Sequence, residues 1–199
     1  MPGRFETWVF AFWVPMTSPD APIEIVSYDP VWPTRFEEEA ALLRRQLAPW
    51  LVGPIEHIGS TAVPGLAAKP VIDIMAGVEA LETSRPAIAA ATELGYRYWP
   101  YQAAVEHWLC KPSPAFRTHH LHLIPVGTPQ WLRPIAFRNY LRAHTQVAHE
   151  YEALKQRLAQ EHRFDRERYT DAKRPFMDRI TEIALEWGHS SGRTASPSG

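Results

Sequence analysis

The chain has 199 residues, 45% of them hydrophobic, which suits one compact domain with a buried core. Lysine and arginine number 21 against 22 aspartates and glutamates, so the formal net charge is −1. Without a broad basic field a general DNA or RNA binder is disfavoured, whereas a local cationic pocket for a small phosphate compound stays open. The single cysteine, Cys110, cannot close an internal disulfide, and its neighbours Trp108 and Leu109 predict a buried, inert thiol. No apolar run reaches the roughly 18 residues of a membrane span, so a cytoplasmic protein with no membrane partner is expected.

Residues 1–22 are expected to lie outside the fold. Trp8 to Met16 (WVFAFWVPM) is apolar, but only Arg4 precedes it and no small-residue cleavage site follows, so it is not read as a signal peptide. Met16 is the expected natural start, with residues 1–15 an over-extended leader. One domain is expected over 23–187, and a disordered polar tail over 188–199.

Ile23 to Ser27 alternates and predicts a short strand. Tyr28 to Pro33 predicts a turn in which Tyr28 and Trp32 dock on the core, Asp29 caps backbone amides and Thr34 caps the next helix. Phe36, Ala40, Leu43 and Leu47 recur at helical spacing. Pro54 to Ile58 predicts a strand ending at Gly59-Ser60, and Thr61 to Pro70 a turn or short helix. Val71 to Val78 predicts an apolar strand broken by Asp73. A helix is expected over Thr83 to Leu94, stopped by Gly95. Strands are expected within Tyr96 to Tyr101, Glu106 to Cys110 and Arg117 to Pro125. From Trp131 the pattern is helical, with one stripe at Val147, Tyr151, Leu154 and Leu158 and another at Phe176, Ile180, Ile183 and Trp187. Tyr169 and Lys173 are expected to precede the last helix, and Arg138, Arg142 and Lys155 to be solvated. Strands mixed with helices, then helices alone, predict an α+β fold: a mixed β-sheet flanked by helices, with a helical C-terminal part.

Two segments carry candidate chemistry. In the first, a strand delivers Gly59-Ser60, where glycine permits close backbone approach and the following amides can cradle a phosphate. Thirteen residues after Ser60, Asp73 interrupts an apolar strand and shares a face with Val71 and Met75. A carboxylate there is costly to bury unless something binds it, and a divalent cation is one candidate. The residues alone equally allow a hydrogen bond to a loop or a pair with Lys69. In the second, His120 and His122 lie two apart on one strand face, with His119, Leu121 and Leu123 on the other. They fit a metal, an anionic substrate, or plain hydrogen-bonded core histidines. Arg117 on the same strand could meet a phosphate, and Lys173 is a further ligand candidate. His57 reads more simply as structural.

These residues fall in a recognisable order. Tyr28-Asp29-Pro30-x-Trp32, the run from His57 to Leu66, Lys69-Pro70-x-Ile72-Asp73-Ile74, His119 to Leu123 and Tyr169-x-x-x-Lys173 resemble the GrpB family over residues 23–187. Phe137-Arg138-x-Tyr140-Leu141-Arg142 and Tyr151-x-x-Leu154-Lys155 are similar as well. The resemblance implies the nucleotidyltransferase fold, and kinship with domains fused to some dephospho-CoA kinases, for which a role assisting folding has been suggested. It implies a nucleoside triphosphate at Gly59, Ser60 and Thr61, with Lys69, Arg117 and Lys173 neutralising phosphate. It implies metal at Asp73, the expected catalytic carboxylate, and at His120 and His122, with His57 and His119 as further candidates.

The pattern departs from the superfamily in two places. Met75 stands where a second acid is usual, and His122 fills the later acidic slot. Magnesium or manganese is the implied ion, and zinc or nickel gains from the histidines. Three functions follow as expectations: a metal-dependent nucleotidyltransferase with a small acceptor, a non-catalytic module that senses a nucleotide or metabolite or assists a protein partner, and a histidine-based metal hydrolase. The last has no clear general base, since Glu56 and His57 only neighbour the cleft.

Overall fold

The computed structural model describes residues 21–100 and 102–190. The leader to residue 20 with the Met16 start, Tyr101, and the tail from residue 191 lie outside the described residues. Five strands form one mixed sheet in the order β1-β2-β5-β4-β3. They are β1 Leu51–Ile58, β2 Ile72–Val78, β3 Arg97–Trp99, β4 His107–Pro112 and β5 Arg117–Pro125. The central pair β2 and β5 is parallel and the other neighbours are antiparallel. The helices are α1 Trp32–Gln46, α2 Pro86–Glu93, α3 Pro129–Ala143, α4 Thr145–Glu161 and α5 Arg166–Ser190.

Strand alternation gives the sheet two different faces. On the back face Ile72, Ile74, Ala76, Leu109, Leu121 and Leu123 pack against Trp32, Phe36, Ala40 and Leu43 of α1 and Ala87 and Ala91 of α2. On the front face Ile58, Met75 and Ile124 receive Trp131 and Ile135 of α3. The remaining helices build their own apolar cluster, Phe137, Leu141, Ala148, Tyr151 and Ile180, which takes in Val63 and Leu66 from the loop between β1 and β2. That loop is therefore shared by the sheet and the helical part.

The α+β fold and the helical C-terminal region match the expectation, and several element limits differ from it. Residues 23–27 form no sheet strand: Val26 makes one isolated bridge to Ala68, and Ile23 is buried against Leu158, Ala159 and Tyr169. Their alternation serves packing on helices. α1 starts at Trp32, before Thr34, because Pro33 presets a helical φ in the first turn. Asp29 caps an amide of the turn before it, accepting from Val31 N–H at 3.0 Å, and Tyr28 meets Trp32 edge to face at 5.3 Å. α2 begins only at Pro86, again at a proline, and ends before Gly95 at φ +88°. α5 starts at Arg166, so Tyr169 and Lys173 lie inside the last helix, and it runs to Ser190, past the expected end at residue 187. Among the described residues no helix is long and apolar enough to cross a membrane.

Candidate functional site

Pairing across the sheet aligns two rows of side chains on the front face. One row is Ile58, Asp73, His120, Cys110 and Arg97. The other is Glu56, Met75, His122, Trp108 and Trp99. The parallel pairing of β2 with β5 thus brings Asp73 beside His120, with His122 two residues along. One donor atom from each of these three side chains lies within 4.8 Å of the others, and all three are half-buried.

The histidines are held by carboxylates. Asp73 Oδ1 lies 2.7 Å from His120 Nδ1, and Glu106 Oε2 lies 2.6 Å from His122 Nδ1. Burial resists the charge on Asp73, but the hydrogen bond from His120 and the charges of His120, His122 and Lys69 together hold the carboxyl below its ordinary value. Burial pushes His120 below its ordinary value despite Asp73. A neutral His120 therefore donates Nδ1–H to an ionised Asp73 and keeps the lone pair on Nε2. That Nε2 is buried and has no hydrogen-bond partner among the described residues. An orphaned acceptor is costly in a folded protein and suits a metal ligand. Burial also resists charge on His122, but Glu106 outweighs it and raises the imidazole above its ordinary value. The donor set of two imidazoles and one carboxylate fits a divalent transition ion.

Gly59 closes the site from β1. Its φ is +72° and ψ −171°, a region open almost only to glycine, and a Cβ there would collide with the Asp73 carboxylate. Ser60 opens the short helical turn Ser60–Ala62 and faces the Tyr151 hydroxyl of α4.

Amines converge beside the carboxylate. Lys69 Nζ lies 5.9 Å and Lys173 Nζ 4.3 Å from the centre of the Tyr169 ring. Neither ammonium has an ion-pair partner among the described residues. Burial, with the charges of Arg166 and Lys173, pushes Lys69 down to about 8. Burial alone pushes Lys173 down to about 8. Arg117 Nε and Arg166 Nη1 both donate to the Pro114 carbonyl, at 2.8 and 2.9 Å, and both charges are felt at Lys69. The Arg117 guanidinium lies 4.9 Å over Trp108. Half-buried amines beside a carboxylate and two histidines can hold an anion that also reaches a metal.

Several expected residues stand elsewhere. His57 lies on the back face, stacked on Phe36 at 4.6 Å, and its Nε2 pairs with Thr61 Oγ1 at 3.0 Å. Burial pushes His57 down to about 4, and Thr61 donates onward to the Val71 carbonyl at 3.2 Å. His119 is also on the back face, with Nδ1 at 2.9 Å from Thr118 Oγ1. Cys110 is fully buried, and burial raises its thiol, as an inert cysteine requires.

The helical cations are not simply solvated. Arg138 is buried and donates to Glu56 Oε2 at 2.7 Å and the His57 carbonyl at 2.8 Å. Arg142 is exposed, yet its Nε and Nη2 grip the Ala62 carbonyl at 2.9 and 2.7 Å. Lys155 is 2% exposed, donates to the Ala67 carbonyl, and burial pushes it down to about 7. Helix-face periodicity cannot reveal these partners, because they lie on β1 and the loop after it, some 80 residues earlier. Glu106 was legible only as the start of a strand. Its spacing of two from Trp108 puts both on one face, but the antiparallel pairing of β4 with β5 had to be known to aim it at His122.

Residues 22–183 match the family model described as GrpB protein. The chain is 39% identical to a UPF0157 protein of Pseudomonas aeruginosa over 83% of this chain and 69% of that one. It superposes on a crystal structure described as conserved protein GrpB from Enterococcus faecalis with a TM-score of 0.75 and 38% identity, covering 82% of this chain and 98% of that one. It is also 25% identical to a dephospho-CoA kinase of Mycolicibacterium paratuberculosis over 86% of this chain, spanning about half (48%) of that longer protein.

Proposed function

The chain belongs to the GrpB family, and we propose that it is a metal-dependent nucleotidyltransferase that moves a nucleotidyl group from a nucleoside triphosphate to a small acceptor. The observation that carries this reading is the meeting of two half-buried lysines, Lys69 and Lys173, with the cluster of Asp73, His120 and His122. The two imidazoles would hold the ion, and Asp73, bonded to His120 Nδ1, would orient that ring towards it. A bound divalent ion supplies charge neutralisation to the reacting phosphate. Ser60 and the amides after Gly59 receive phosphate oxygens, and Lys69, Lys173 and Arg117 balance the remaining charge. The orphaned Nε2 of His120 and the space that Gly59 leaves against Asp73 support the metal half of the reading.

One observation favours a second reading. Met75, not an acid, lies across from His122, so one carboxylate stands among the three clustered donors. A protein that kept the pocket without turnover would bind the same ligand and serve a partner protein.

Thermal unfolding of wild type and Asp73→Asn separates these possibilities, using nucleoside triphosphates with magnesium, manganese or chelator. A ligand at about 100 times its Kd adds about 2.7 kcal/mol, a rise of about 5–10 °C for a chain of this size. A metal-dependent shift that Asp73→Asn loses supports the nucleotide site, and product formation with an acceptor panel then decides for transfer. No shift with any nucleotide removes the transferase reading.

A further inference from the structure

Glu106 reaches the site from outside the strand pair that carries the three donors. It is the residue before β4, it is 7% exposed, and its Oε2 lies 2.6 Å from His122 Nδ1. A carboxylate that is nearly buried must be paired, and this one is spent on a single imidazole nitrogen. The neighbouring histidine repeats the arrangement, since Asp73 occupies Nδ1 of His120. With both Nδ1 atoms engaged, Nε2 is the remaining donor of each ring. Metal-ligating histidines are commonly held in this way by an outer carboxylate, which fixes the tautomer, orients the ring and raises its basicity.

We infer that Glu106 is the positioning residue of this metal centre: it fixes His122 so that its Nε2 joins Nε2 of His120 on the ion, as Asp73 fixes His120, and it sets the site for a borderline transition ion of the zinc or cobalt class over magnesium. The inference rests on the metal-site reading above. Two imidazoles held at Nδ1 favour ions that accept nitrogen donors, whereas magnesium prefers oxygen and keeps its waters. Glu106 needs no contact with the ion to have this effect.

The test uses metal alone, so that it does not depend on any nucleotide. Metal-stripped wild type, Glu106→Gln, Glu106→Ala and His122→Ala are titrated with cobalt(II), reading the visible d–d absorption. Zinc affinity follows by competition with a chelating indicator. Glu106→Gln preserves shape and removes the charge, so it is expected to keep the metal-free unfolding temperature and to lose about 10–100-fold in affinity. Glu106→Ala is expected to lose at least as much and to shift the cobalt spectrum, and a millimolar excess of magnesium is expected not to displace cobalt from wild type. Wild-type affinity and spectrum in both Glu106 variants, with binding lost in His122→Ala, would overturn the role of Glu106 and leave the metal site standing. Ready displacement by magnesium overturns the ion class. If wild type takes up neither cobalt nor zinc, the metal-site reading falls and this inference falls with it.

Discussion

Gly59 leaves no room for a side chain against Asp73. Its backbone lies at φ +72° and ψ −171°, and the absent Cβ makes way for the Asp73 carboxylate. Gly59→Ala combines backbone strain with a collision, at a cost of about 1–3 kcal/mol from the strain alone. The variant is expected to unfold several degrees lower and to lose cobalt affinity, because Asp73 must swing away from His120. Thermal unfolding and cobalt titration check the two effects separately. The Gly-Ser pair and Asp73 were legible from sequence as an interrupted apolar strand after a glycine turn. Their mutual contact was not, since it depends on the antiparallel register that sets Ile58 opposite Asp73.

Among the elements, α4 holds the loop between β1 and β2. Glu152 Oε2 accepts the Ala67 amide at 2.9 Å, and Lys155 donates to the Ala67 carbonyl, so both polar groups of one peptide residue are clasped by one helix. Burial keeps the folded pKa of Lys155 near 7, against 10.5 for an ordinary lysine. Between those values the unfolded chain binds a proton that the folded chain does not, so stability rises with pH from about 7 towards 10. Below pH 7 both states are protonated and the folded state bears the full cost of the buried charge. Lys69 and Lys173, each near 8, add to the same slope. Denaturant unfolding at a series of pH values is expected to show the rise, and Lys155→Met is expected to flatten it. Element limits were unevenly legible. β5 was read as Arg117–Pro125 and is found there, because a long β-rich alternation has one interpretation. The segment at 23–27 misled because a chain lying across two helices also buries every second residue.

At the scale of the whole molecule the sheet sorts five histidines into two populations. Asp73, His120 and His122 share the front face, and His57 and His119 share the back with the main core, as does His107 across from Leu123. His120→Ala is expected to abolish cobalt binding, whereas His119→Ala is expected to leave it within about twofold of wild type, the usual small effect of a site with no shared partner. Equilibrium titration of the two variants measures this directly. The fold class was legible as a whole, since strand and helix periods differ along the chain. The position of β4 between β5 and β3 was not, and with it went the aim of Glu106; nor were the shelter of Lys155 and the burial of Arg138, whose partners lie on β1 and the loop after it.

The indole of Trp108 lies 5.1 Å from the His120 ring, in the same cross-strand row as His122. Open-shell ions quench indole emission at such short range, whereas closed-shell zinc does not. The protein thereby carries its own optical gauge of occupancy. Cobalt is expected to dim the intrinsic fluorescence and zinc to restore it by exchange. Trp108→Phe should remove most of that response while the other tryptophans keep glowing.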